Sequence, residues 1–335
     1  MLSYFLLTKY KVIPIFIKIS LLFACIISAV LNILTHPVGA PDIFNYIINC
    51  KMAYFYHLNP YIHTFREYFK YDPLIGYTTL SHSTLPYGPL WLLLCYISFH
   101  ISGFSSILSM LLCYKSFNVA FLIFTALIIY RYEEKDKKWV SLYLYLSNPL
   151  ILFEGVVNGH NDIIMTFFFI YSIFKLRSNS FFTLPLFTLG SMVKVFILPL
   201  LPLFLIEMVR RKWPINKIIA SCLLSVFIAI CLFIPFRDKN VIKGMLSGMN
   251  SYHETRGLST YGVIRIYMKR NKIEGLSYVK FIWGFIFILF LIAEIFIINT
   301  SNSTAFLSLS VIMILPVIIF FIFRILRISN KAVTT

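Results

Sequence analysis

The sequence predicts an all-α polytopic membrane protein, and three observations carry that prediction. Hydrophobic residues make up 59% of the 335-residue chain and charged residues 13%, where soluble domains carry roughly twice that charged share. Mean hydropathy is +0.82. Apolar stretches near the roughly 20 residues needed to cross a bilayer recur along the chain, with basic residues in short runs between them. No polar block is long enough to bury a core of its own, so residues 1–335 read as a single transmembrane domain.

The net charge of +17 does not point to nucleic acid. Its Lys and Arg residues sit between apolar segments, the pattern of cytoplasmic loops that meet anionic lipid. Six cysteines (Cys25, Cys50, Cys95, Cys113, Cys222, Cys231) show no metal-ligand spacing. Cys50 and Cys95 could meet outside the membrane, but spacing alone does not establish a disulfide. The N-terminus is basic, then apolar, with no small-residue cleavage site, and reads as a retained first helix.

Taken in order, the first span is expected at Val12–Leu34, with Lys9, Lys11 and Lys18 holding its start in the cytoplasm. A long polar interruption, His36 to Pro89, follows. Leu90–Ile101 is short for a span. If it lies along the outer face, the runs at 131–138, 175–177 and 210–217 all fall inside, so we read it as a juxtamembrane helix. The first extracytoplasmic loop is then 35–107. Further spans are expected at Leu108–Tyr130, Trp139–Phe153 and Ile163–Phe174, with a second outer motif loop at 148–162. Phe181–Ile206 reads as two short helices meeting at Lys194 at the outer face, because a lysine at mid-membrane costs about 3 kcal/mol. A span at Ile215–Ile234 ends at Pro235. A later outer loop, 236–277, precedes spans at Val279–Ile298 and Ala305–Phe323, about nine in all. With this topology all seven histidines fall on the outer side or its interface.

Unpaired polar groups in lipid cost several kcal/mol each, as an order of magnitude. The Tyr-, His- and Asn-rich stretch 36–89 must therefore line an interface or a watered cavity. Asp42 is its first carboxylate, and the first of the chain. It suits either a catalytic base or the cap of a helix beginning at Ile43. Asn158-Gly159-His160-Asn161-Asp162 packs polar side chains between two apolar helices, with Glu154 one turn upstream. It reads as a self-satisfied turn or as a hydroxyl-binding element. Glu154 or Asp162 could serve as base instead of Asp42.

Three stretches in this order resemble one family. They are DIFNY (Asp42–Tyr46); NPY (Asn59–Tyr61) with PYGPL (Pro86–Leu90); and NPL (Asn148–Leu150) with Glu154 and NGHND (Asn158–Asp162). The set, with MVK (Met192–Lys194) before a Leu/Pro-rich helix, resembles the GT-C superfamily of membrane glycosyltransferases that use lipid-phosphate sugars. It is most similar to bacterial polyprenol-phosphomannose-dependent mannosyltransferases, and more distantly to the catalytic subunit of the first GPI mannosyltransferase. The likeness spans Val12 to Pro235. It implies a GT-C-type bundle whose long first outer loop carries juxtamembrane helices. It also implies an inverting hexosyl, most readily mannosyl, transfer from a polyprenyl-phosphate sugar to a hydroxyl of a glycolipid or glycan.

On that resemblance Asp42 takes the catalytic role. Tyr46, Tyr61, Tyr87, Glu154, Asn158, His160, Asn161 and Asp162 are expected to bind substrate, the tyrosines either stacking on sugar or belting the interface. Lys194, His253, Arg256 and Arg265 are expected to bind phosphate. Asp42 is followed by Ile-Phe-Asn, so a metal-binding DxD is absent and no metal or other cofactor is expected. Partners are the lipid-linked donor, the acceptor and membrane lipids. The expected location is a bacterial or archaeal cell membrane, or the endoplasmic reticulum membrane in a eukaryote. A transporter or flippase of a lipid-linked or anionic substrate is the alternative. It would show two matching halves, and no second copy of PYGPL or NGHND is present.

Overall fold

The computed structural model describes residues 14–38, 42–78, 80–103, 106–135, 138–255, 267, 268 and 270. Every regular element among them is helical. The chain divides into two compact units, Met1–Tyr252 and His253–Thr335, and the described site lies in the first.

Helix α1, Ile15–Ile33, begins after Pro14. Only Ala29 of its residues is buried, as suits a helix whose surroundings are apolar. The polar interruption is itself helical in pieces. It contains α2 (Asp42–Cys50), a π-helical segment (Lys51–Phe55), the single-turn α3 (Phe65–Tyr68) and a 3-10 segment (Pro73–Tyr77). All nine residues of α2 are buried. Helix α4, Pro89–Ile101, has proline at its start, where no N–H is needed. Ser106 caps α5, Ile107–Tyr132, accepting from the Ser109 N–H at 3.1 Å.

The predicted span Trp139–Phe153 is broken. Helix α6 covers Lys138–Leu146, and a π-helical segment, Ile151–Val157, follows at a bend of 54°. The outer motif loop expected at 148–162 is thus helical over half its length. Its apolar run ILFEGVV winds once the Asn148 side chain accepts from the Leu150 N–H at 3.0 Å. Helix α7 is Asp162–Arg177. Two short arms then meet at Lys194: α8, Thr183–Val193, and a 3-10 segment, Val195–Leu200, leading into α9, Leu201–Arg210. Lys194 itself is extended, and Phe187 stands 4.7 Å from Phe204, so the arms fold back on each other. Helix α10, Ile215–Phe233, continues through a 3-10 turn to Phe236.

The loop expected at 236–277 holds helix α11, Val241–Thr255. Its polar composition hid it, but Gly244 and Gly248 lie one turn apart and face the first loop closely. A Cβ at Gly244 would stand 1.7 Å from the Tyr61 carbonyl oxygen, and one at Gly248 2.3 Å from that of Thr84. Such small-residue faces let two backbones touch.

Among the described residues three helices are long and apolar enough to cross a membrane, or four if the bent pair counts as one span. The expected total of about nine is therefore not reached within them. The spans placed at 279–298 and 305–323 lie outside the described residues.

Side chains sort the helix ends into two groups. At one, Lys18 lies over Trp139 (5.8 Å), Lys138 over Tyr130 (4.4 Å) and Lys217 over Trp213 (4.8 Å). Lys175 donates to the Tyr132 hydroxyl at 3.0 Å there, and Arg211 to the Arg177 carbonyl at 3.4 Å. Cations set against aromatic rings in this way mark a membrane–water boundary. At the other end the Lys115 ammonium donates to the Thr35 carbonyl. The chain thus returns in α5 to the level at which α1 ended, as a non-crossing α4 requires. Cysteines introduced at the exposed positions Tyr71 and Ser178 test this polarity. An impermeant maleimide added to intact cells is expected to label residue 71 and spare residue 178. Equal labelling of both would overturn it.

Candidate active site

The quoted stretches, far apart in sequence, converge at the end away from the basic belt. Asp42 opens α2, where a carboxylate favours the helix dipole. Its Oδ2 lies 3.3 Å from His160 Nδ1, and His160 Nε2 lies 3.2 Å from Glu154 Oε2. The Asn158 amide donates to the same Glu154 oxygen at 3.0 Å. A carboxylate–imidazole–carboxylate chain results, with one end enclosed (Asp42, 0% exposed) and the other open (Glu154, 42%).

Local backbone makes that chain possible. The π-helical segment carries Glu154, and the His160 N–H donates to the Glu154 carbonyl at 2.9 Å. Gly159 has φ +70°, and a Cβ there would stand 2.8 Å from Ile43 Cδ1. Glycine takes this left-handed backbone without steric cost where NGHND lies against α2. The Asn161 N–H reaches the Tyr46 hydroxyl at 3.4 Å. Both side-chain amide atoms of Asn161 are buried without a partner, a costly state for a group with no function.

A second charged pair stands beside this chain. Lys194 donates to both carboxylate oxygens of Asp162 at 2.8 Å. PYGPL holds it in place, since the Gly88 N–H donates to the Val193 carbonyl at 3.1 Å. NPY ties to PYGPL in turn. The Tyr61 hydroxyl donates to the Tyr87 carbonyl at 2.9 Å, and the Leu85 N–H to that of Pro60 at 2.9 Å. Burial pushes the Tyr61 phenol well above its ordinary pKa, so it remains a neutral donor. Lys51 is also raised. Burial lowers it, but the Asp72 carboxylate, 2.9 Å away, and the Tyr56 hydroxyl together outweigh that.

Tyr46, Tyr61 and Tyr87 are buried. Tyr46 meets Tyr87, Trp91 and Tyr114 edge-on, with centroids 5.4, 4.8 and 5.6 Å apart. These rings pack as the floor beneath Asp42 and NGHND. Lys194, expected to bind phosphate, is paired with Asp162 in this structure. Cys50 and Cys95 are both buried free thiols. The side chain of His253 and the residues Arg256 and Arg265 lie outside what the structure describes.

Asn118 escaped the sequence reading. It is fully buried, and its amide donates to the carbonyls of Gly155 (2.8 Å) and His160 (3.2 Å), clamping the turn from α5. Its signal was available: Lys115 and Asn118, three apart, share one face of an otherwise apolar helix.

No group of three or more His, Cys, Asp or Glu side chains is placed to hold a metal ion among the described residues. Comparison with curated proteins and with solved structures returns no match. The family model described as alpha-(1->6)-mannopyranosyltransferase, N-terminal domain, matches residues 20–210. That range holds Asp42, NGHND and Lys194, and decides for an enzyme over a transporter. The chain therefore belongs to the MptA_B family of alpha-(1->6)-mannopyranosyltransferases, GT-C membrane glycosyltransferases that transfer mannose.

Proposed function

We propose that this enzyme transfers mannose from a polyprenyl-phosphate mannose to a hydroxyl of a glycolipid or glycan at the extracytoplasmic face, with inversion. The observation that carries the reading is the Asp42–His160–Glu154 chain set beside the Lys194–Asp162 pair. The leaving group of such a donor is already good. What remains is to take a proton from the acceptor, align the reactants and stabilise the phosphate.

Asp42 is the base. The acceptor oxygen attacks the anomeric carbon as its proton passes to the carboxylate. The bond from that carbon to the phosphate oxygen breaks, and polyprenyl phosphate leaves with the electron pair. His160, set between the carboxylates of Asp42 and Glu154, holds Asp42 in position. A second reading makes Glu154 the base, favoured by the openness of its carboxylate. The reaction needs no metal.

Purified protein supplied with labelled polyprenyl-phosphate mannose or polyprenyl-phosphate glucose, with and without a chelator, tests the proposal. Consumption of the mannosyl donor alone, an inverted anomeric carbon and indifference to the chelator are expected. Retention of configuration, use of a nucleotide sugar instead, or a requirement for divalent ions would overturn it.

A further inference from the structure

Lys115 is the buried charge for which the mechanism so far has no use. It is 1% exposed, within α5, the longest of the described helices. Its ammonium has three donors, and the structure gives it one acceptor, the Thr35 carbonyl. No carboxylate lies within ion-pair distance of it among the described residues. Enclosing an ammonium without a counter-charge is expensive, and an ionisable residue inside a membrane helix marks a functional site more often than a structural one. Lys194, by contrast, is already neutralised by both oxygens of Asp162.

Position adds a second, independent observation. Asn118, one turn along the same face, grips the carbonyls of Gly155 and His160. Tyr114, the preceding residue, packs on Tyr46. Thr35 closes α1, seven residues before Asp42. The apolar side chains of α1 that lead towards it, Phe23, Ile27, Val30, Leu31 and Leu34, are exposed. Among the described residues, then, a cation with no anion beside it sits where a track of exposed hydrocarbon ends, next to the turn that carries His160. An anion carried on a long apolar tail fits both features.

We propose that Lys115 is the cation that takes the phosphate of the lipid carrier, exchanging the Thr35 carbonyl for a phosphate oxygen when the donor enters along α1. This rests on the polyprenyl-phosphate donor proposed above. It assigns the leaving-group contact to α5 in place of the hairpin at Lys194.

The test is the binding of farnesyl phosphate, farnesol and inorganic phosphate to the full-length protein in detergent, alongside donor and acceptor KM. Lys115→Gln keeps a donor for the Thr35 carbonyl and loses the charge; Lys115→Arg keeps the charge. Lys115→Gln is expected to weaken farnesyl phosphate about 10- to 100-fold, the range of one charge-assisted hydrogen bond. It should raise donor KM by a like factor and leave acceptor KM and farnesol binding alone. Lys115→Arg is expected to bind within about threefold of the parent. Farnesyl phosphate binding that is unchanged in Lys115→Gln, or lost equally in Lys115→Arg, would reduce Lys115 to a latch between two helices. Inorganic phosphate binding as tightly as farnesyl phosphate would replace the lipid carrier with free phosphate and overturn the assignment. If the parent protein does not bind farnesyl phosphate, the donor class itself falls. A parent that binds it and a Gln variant that binds it equally leave the donor class standing and remove only Lys115.

Discussion

Asp42→Asn is expected to abolish mannose transfer while the protein is still recovered folded from membranes. Asparagine matches aspartate in shape, and its amide oxygen can still accept from His160 Nδ1, so the contact at 3.3 Å survives. What disappears is the capacity to take a proton. General-base catalysis contributes about 10²–10⁴ in rate, and kcat should fall by that factor with donor KM little changed. Glu154→Gln is the companion variant. Its carboxylate is open and bonded to both His160 and Asn158, so its loss should tilt the imidazole and cost less. If Asp42→Asn transfers at nearly the parental rate and Glu154→Gln does not, the base is Glu154 and Asp42 is a positioning residue.

Gly88→Ala should lose both activity and stability. A Cβ at that position would lie 2.0 Å from the Met192 carbonyl oxygen and 2.4 Å from its carbon. Both are backbone atoms and cannot rotate aside. PYGPL and the Lys194 hairpin would have to separate by about 1 Å or more, breaking the Gly88–Val193 hydrogen bond and drawing Lys194 from Asp162. Overpacking of well-filled sites typically costs about 1–3 kcal/mol, and a backbone obstacle belongs at or above the top of that range. Gly76→Ala is the control, because nothing lies within 4 Å of a Cβ there. Thermal unfolding in detergent reads both. If Gly88→Ala melts with Gly76→Ala, the hairpin does not rest on PYGPL.

Much of this arrangement was legible in the sequence. Long apolar runs placed α1, α5 and α10 within a few residues at each end, because hydropathy over about 20 residues is a strong signal. Charge distribution placed the break at Lys194. The convergence of Asp42, His160, Asp162 and Lys194 followed only from the ordered resemblance, since no local pattern relates residues 120 positions apart. Other features stayed hidden for physical reasons. Two π-helical segments have no distinctive composition. Helix α11 is hidden by its polar composition, and its glycines serve close approach rather than flexibility. The burial of Tyr46, Tyr61 and Tyr87 has no sequence signature either, because tyrosine suits an enclosed site as well as an interface.

One feature of the Glu154 turn bears on how this family can vary. A π-helical stretch winds one residue more per turn than its α-helical neighbours, so the compass direction of each side chain depends on the residue count as much as on residue type. Shortening Ile151–Val157 by one would restore ordinary winding and swing the carboxylate by about 100° around the axis. Drift among Ile151, Leu152 and Phe153 should then be tolerated along a lineage, while insertions and deletions there should be purged.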